Sequence, residues 1–103
     1  MVIDKKINLM KNAKVILEEF RELGTKHYFK LTNGQEYQGW IMDILDEKLS
    51  FADSGPLASE AEIEIEIAMV DLATLSYWDE TQNLWVDTYW DNATQIWLHT
   101  PAR

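Results

Sequence analysis

The sequence predicts a mainly β protein: a small, five-stranded, strongly bent barrel with an N-terminal α-helix and an extra C-terminal β-hairpin. Three observations point there. Glu62 to Met69 alternates, with Ile63, Ile65, Ile67 and Met69 on one side and Glu62, Glu64 and Glu66 on the other, as in a half-buried strand. Asn33-Gly34 separates two apolar alternations, and Asn-Gly is a strong hairpin signal because both residues tolerate positive φ. Finally, a strand from Gln35 to Leu45 would measure about 36 Å if straight, at roughly 3.3 Å per residue. A compact domain of this length has a radius of gyration of about 13 Å, so the strand must bend, and Gly39 is where a side chain is missing.

The 103 residues predict one domain over 1–103. Its first element is an amphipathic helix over residues 4–23, with Asp4 as N-cap and Gly24 as the stop. Leu9, Ala13, Ile16, Leu17 and Phe20 form one apolar stripe, while Lys11, Lys14, Glu18, Arg21 and Glu22 lie opposite. Because acids interleave with the bases, a helix covering the barrel is favoured over a dedicated phosphate-binding helix. Barrel residues 27–78 follow. Phe29, Leu31, Tyr37, Ile41, Leu49 and Phe51 share the interior in this reading, and Trp40, Met42 and Ile44 face the other way. After Val70, a tight turn leads into a short strand ending at Tyr77-Trp78. The extra hairpin, residues 84–100, turns at Asp91-Asn92. It carries Trp85 and Tyr89 on one face and Val86 and Trp90 on the other, more apolar surface than a lone ribbon can bury.

The run Phe29, Leu31, Asn33-Gly34, Tyr37, Gly39, Ile41, Ile44, Asp46, Leu49, Phe51 and Asp53 resembles the first conserved motif of the Sm and Sm-like RNA-binding proteins. It covers about a quarter of the chain. A weaker resemblance to the second motif lies at Val70 to Trp78, without the basic residue and glycine that eukaryotic and archaeal members carry in its turn. The resemblance implies an Sm-like, SH3-type barrel in a closed homo-oligomeric ring that binds single-stranded RNA or DNA. Asp46 is the counterpart of the family's turn acid, one place late. The family's base-holding aromatic and asparagine find Lys48 and Leu49 in their place, so no base preference carries over.

Charge sets a second expectation against the first. The net charge is −9, whereas nucleic-acid binding depends on neutralising phosphates. Residues 1–30 hold seven bases against four acids, and residues 31–103 hold two against fourteen. A nucleic-acid surface would therefore draw on Lys5, Lys6, Lys11, Lys14, Asp46 and Lys48. The alternative is a homo-oligomeric structural or protein-interaction module that touches no nucleic acid. In either case the expected partner is the protein itself. The Glu62–Met69 and Thr74–Trp78 strands would pair head to tail between subunits, with Ile63, Ile65, Ile67, Leu75, Tyr77, Trp78, Trp85 and Trp90 at the interface.

Catalytic chemistry has little to draw on. The chain has no cysteine and two histidines, His27 and His99, with no Gly-rich phosphate loop or spaced metal ligands. The expectation is a non-enzyme without metal or cofactor. The Glu62, Glu64 and Glu66 row reads as an edge protected by like charge rather than an acid-base site. No apolar run approaches the ~20 residues that span a bilayer, and the expected location is the cytoplasm.

Overall fold

The structure, a computed structural model, describes residues 11–52 and 62–101. They form one helix, α1 (Ala13–Arg21), and seven strands: β1 (His27–Leu31), β2 (Glu36–Ile44), β3 (Lys48–Ala52), β4 (Glu62–Glu66), β5 (Val70–Asp79), β6 (Leu84–Asp91) and β7 (Ile96–Pro101). A 3₁₀ turn, Ile67–Met69, joins β4 to β5. The strands make a single antiparallel sheet in the order β4-β3-β2-β1-β5-β6-β7. The sheet is not closed: β4 and β7 are its two edges, and the five-stranded barrel expected from the sequence is replaced by this open, curled layer. The expected extra hairpin is no separate ribbon, because Ser76–Asp79 of β5 pair with Leu84–Asp87 of β6.

β2 is the strand shared between two halves. Residues 36–39 pair with β1 and residues 40–44 with β3, so its partner changes between Gly39 and Trp40. The register slips a little later, between Ile41 and Asp43. That bulge has a consequence for the core. Strict alternation sends Ile44 outward with Trp40 and Met42, but one extra residue reverses the face, and Ile44 packs against the core instead. A second irregularity lies in β5, where Asp71 pairs with Lys30 and Ser76 with Tyr28. Residues 72–75 loop out between them. Thr74 Oγ1 fills the gap: it donates to the Asp71 carbonyl at 2.7 Å and accepts from Lys30 N at 2.9 Å. The expected tight turn after Val70 is thus a bulge within one long strand.

The core lies on one face of the sheet, the one that α1 covers. Phe29, Leu31, Ile41, Leu49, Phe51, Ile65, Ile67, Val70 and Leu75 are buried there, and Tyr37 packs on them. Rings from β1, β2 and β3 meet edge to face or tilted, with Phe29 and Phe51 centroids 5.4 Å apart and Tyr37 to Phe51 5.8 Å. α1 closes this face with Ile16, Leu17 and Phe20. The expected continuous helix over residues 4–23 is corrected at Asn12. That residue is extended, and its Oδ1 accepts a hydrogen bond from Val15 N at 2.9 Å, an N-cap that starts α1 there. Asp4, Lys5, Lys6 and Leu9 lie outside the described residues. The expected Glu62–Met69 strand is also shorter, ending at Glu66. β4 pairs with β3 while β5 pairs with β1, so the chain must cross over. The 3₁₀ turn makes the crossing, pinned by Ile67 N to the Glu47 carbonyl at 2.9 Å and Thr32 N to the Met69 carbonyl at 2.7 Å.

β5 to β7 are built from a tandem repeat. Ser76-Tyr77-Trp78-Asp79, four turn residues and Leu84-Trp85-Val86 are followed twelve residues on by Thr88-Tyr89-Trp90-Asp91, four turn residues and Ile96-Trp97-Leu98. Each copy folds as a hairpin. Asp79 Oδ1 accepts from Thr81 N at 2.9 Å and Asp91 Oδ1 from Ala93 N at 3.0 Å. The last turn residue is left-handed in both, Asn83 at φ 63 and Gln95 at φ 62. In each copy the two tryptophans are cross-strand partners: Trp78 with Trp85, centroids 5.7 Å apart, and Trp90 with Trp97, 5.9 Å apart. Trp85 and Trp90 are an odd number of residues apart on β6, so the two pairs sit on opposite faces of the sheet.

Candidate functional site

Two surfaces compete for function. The first is a cleft of about 630 Å³ between the N-terminus of α1 and the β2–β3 turn, lined by Lys14, Asp46, Lys48 and Glu66 among others. It gathers three of the residues that the sequence nominates for nucleic acid. Lys14 Nζ lies 3.2 Å from Asp46 Oδ1 and 3.9 Å from Glu18 Oε2, and Lys48 Nζ lies 3.4 Å from Glu64 Oε1. Glu47 also lines the cleft, so its two bases face three acids on its own walls. Lys11 is elsewhere. Its ammonium is 2.7 Å from both carboxylate oxygens of Glu19 and stands 3.7 Å above the Trp90 ring. Glu19 also accepts from Trp97 Nε1 at 2.9 Å. The Lys11 hydrogen bond first, then that of Trp97, holds the Glu19 carboxyl below its usual pKa.

The remaining described bases are engaged as well. Arg21 donates to the Met42 carbonyl at 2.6 Å, Lys26 lies over the Trp40 ring, and Lys30 is 3.9 Å from Glu36. Exposed pairs of this kind contribute little to stability. Their bearing is on the field: every described cation sits beside a carboxylate, a carbonyl oxygen or a ring face.

The second surface is the β5–β7 extension with its open edge. Of the residues expected at a subunit interface, Ile65, Ile67, Leu75 and Trp90 are buried in the protomer's own core, and Ile63 and Tyr77 pack against it. The four buried residues are corrected, since their apolar surface is spent within one chain; Ile63 and Tyr77 are half-buried. The expected Thr74–Trp78 edge is corrected over Ser76–Trp78, where β6 pairs with it. Trp78 and Trp85 are half-buried on the face away from the core, their rings edge to face. The large apolar side chains that do face solvent on the extension are Ile96, 51% exposed, Tyr89, 47%, and Leu98, 42%. Tyr89 and Leu98 are cross-strand partners, and so are Asp91 and Ile96, so all three groups share the face away from the core. Beside them lies a depression of about 440 Å³ floored by Ser76 and Asp87, whose side chains hydrogen-bond at 2.5 Å. Reasoning on aromatic content alone selects the tryptophans and Tyr89 and passes over Ile96 and Leu98. The twelve-residue repeat is the signal that finds them, since it shows which strand comes last.

His27 is the buried titratable group. It packs edge to face on Phe20 at 4.8 Å, and its Nε2 lies 2.7 Å from the Leu23 carbonyl. A carbonyl only accepts, so Nε2 carries the proton and Nδ1 is left as a buried acceptor with no partner among the described residues. Burial holds its pKa below the usual histidine value. It sits at the α1–β1 joint, between Phe20 and the Leu23 carbonyl.

Among the described residues no group of three or more His, Asp or Glu is placed to hold a metal ion, and no helix is long and apolar enough to cross a membrane. Fold and surfaces together define a mainly β chain with one helix packed on an open antiparallel sheet. Compared with family models, with curated proteins and with solved structures, it matches none.

Proposed function

We propose that this chain is a protein-interaction module built on an Sm-like core, and that it does not bind nucleic acid. The shared strand β2, handed from β1 to β3 at Gly39, supports the Sm-like part of that reading. A ring sealed through the outer edge of β5 would have to compete with β6, which pairs with Ser76–Asp79 of that strand. The observation that carries the function is the state of the cations. All six described bases, Lys11, Lys14, Arg21, Lys26, Lys30 and Lys48, are held by acceptors of the same chain. Phosphate binding would have to displace those acceptors in a molecule of net charge −9. Apolar groups face solvent on the sheet extension instead, which suits a protein surface.

The test is a titration with oligo(U) and oligo(A) at low and moderate salt. The expected result is no binding at ~50 mM salt, where a phosphate-reading protein binds most strongly. Affinity that falls steeply as salt is raised, and disappears in the Lys11→Glu, Lys14→Glu double variant, would overturn the proposal in favour of a single-stranded nucleic-acid surface on the helix side.

A further inference from the structure

We infer that the outer edge of β7 is a self-association site, pairing antiparallel with β7 of a second copy about a two-fold axis so that two sheets run on as one. This rests on the reading of the chain as a protein-interaction module and names its partner.

Three observations carry it. The first is chemical. Open edges are normally blunted by lysines, inward charges or bulges. β7 runs Ile96-Trp97-Leu98-His99-Thr100-Pro101 with no Lys, Arg, Asp or Glu and a regular register to β6, and Pro101 at its end is the lone blunting device. Ile96 and Leu98 are exposed along it. The second comes from the repeat. In the first copy, Val86-Asp87 are covered on their outer side by Thr100 and Pro101. The corresponding residues of the second copy, Leu98-His99, have no strand on that side among the described residues. Among the described residues, the second copy therefore lacks the covering strand that the first copy has.

The third observation selects the occupant. The sheet's other edge, β4, carries Glu64 and Glu66 exposed in a strand that begins with Glu62. Two β4 edges facing each other would set like charges opposite, which is destabilising. β4 of one copy against β7 of another would meet no countercharge, because β7 has none. β7 against β7 is the remaining edge pairing, uncharged on both sides. It is isologous and so closes at two copies rather than growing into a fibre. An interface of one six-residue strand is well below the ~1,200 Å² of stable complexes, so the expected affinity is weak, on the order of tens of micromolar.

Electrostatics gives the association a signature. Each copy carries −9, so the two repel at long range, and added salt screens that repulsion. Dimerisation should strengthen with salt, the opposite sign to phosphate binding. The experiment is sedimentation equilibrium on the full chain across low to high micromolar protein, at low and moderate salt. The expected result is a monomer–dimer equilibrium with no larger species, shifted toward dimer by salt. Leu98→Lys, in mid-strand, should hold the protein monomeric while the far-UV CD is unchanged. Thr100→Lys serves as the second edge variant should Leu98→Lys unfold, and Glu64→Gln on β4 should leave the equilibrium as it is. A chain that stays monomeric at every concentration and salt, assembles beyond two, or dimerises equally well as a folded edge-lysine variant would overturn the inference. A monomer that also binds no oligonucleotide sinks this inference alone, whereas oligonucleotide binding sinks the proposed function whatever the mass.

Discussion

Gly24 and Gly34 offer a matched pair for testing the account of the α1–β1 joint. Both are left-handed, at φ 66 and 95. Replacing either by alanine places a side chain in a conformation that L-residues avoid, at a cost of about 1 kcal/mol. At Gly34 nothing lies within 4 Å of the added Cβ, so the cost ends there. At Gly24 the added Cβ would fall 2.4 Å from the Trp78 carbonyl oxygen and 2.6 Å from Tyr77 Cδ1. Ordinary contact is about 3.5 Å, so β5 must retreat by about 1 Å. That carbonyl accepts from Thr25 N at 3.2 Å, and Trp78 N donates to the Lys26 carbonyl at 2.8 Å. Losing both costs about 1 kcal/mol each, before any strain on the β5–β6 pairing. Gly24→Ala should therefore lose about 3 kcal/mol and Gly34→Ala about 1. For a domain of this size the gap of about 2 kcal/mol is roughly 10 °C in Tm. Urea denaturation followed by tryptophan fluorescence measures it. Equal losses for the two variants would refute the reasoning, because they would mean that the loop after α1 is not packed on β5.

Other outcomes follow from the same contacts. Burial holds the His27 pKa below that of an unfolded histidine, so its protonation opposes folding. Stability should be full above about pH 6.5 and fall as pH drops below it, by up to ~1.4 kcal/mol per pH unit until the folded value is reached. His27→Gln should flatten this between about pH 5 and 6.5, above the range in which Glu19, whose pKa is also lowered, begins to contribute; an unchanged slope in urea melts at stepped pH would count against a neutral buried imidazole. Asn12→Ala removes the Val15 cap and should cost about 1 kcal/mol, read from the same melts. Trp85→Phe should abolish the exciton signal of the Trp78–Trp85 pair in the far-UV CD and leave that of Trp90–Trp97, and a spectrum unaltered by the change would rule out the edge-to-face pairing. Phe51→Ala, at the centre of the ring cluster, should cost about 3–5 kcal/mol.

Much of the strand layout is legible before any coordinates. The Asn33-Gly34 hairpin, the charged break read at Asp46-Glu47-Lys48 and the Ile/Glu alternation of β4 place four of the seven strands, because period-two burial and turn chemistry are local properties. The resemblance of residues 29–53 to an Sm motif is likewise carried by local spacing, and its implied assembly is not. Closure depends on whether one edge of a sheet meets another, a question of long-range pairing that alternation does not address. Here β6 reaches the β5 edge first. The candidate site shows the same division. Lys14, Asp46 and Lys48 do line one cleft, but which acids share it could not be read from spacing: Glu66 is distant in sequence from all three.

What the chain's residues determined alone is its strand periodicity, its N-capped amphipathic helix, its acid-rich edge and a duplicated hairpin, each a consequence of neighbours within a few positions. Only the tertiary structure decided where those parts ended up. One inserted residue in β2 turned Ile44 inward, and α1 with the curled sheet consumed Ile65, Ile67, Leu75 and Trp90 as core. The physical reason is that burial belongs to a side chain's whole surroundings: which apolar residues are left facing water, Tyr89, Ile96 and Leu98, is settled only after every other one has found its cover.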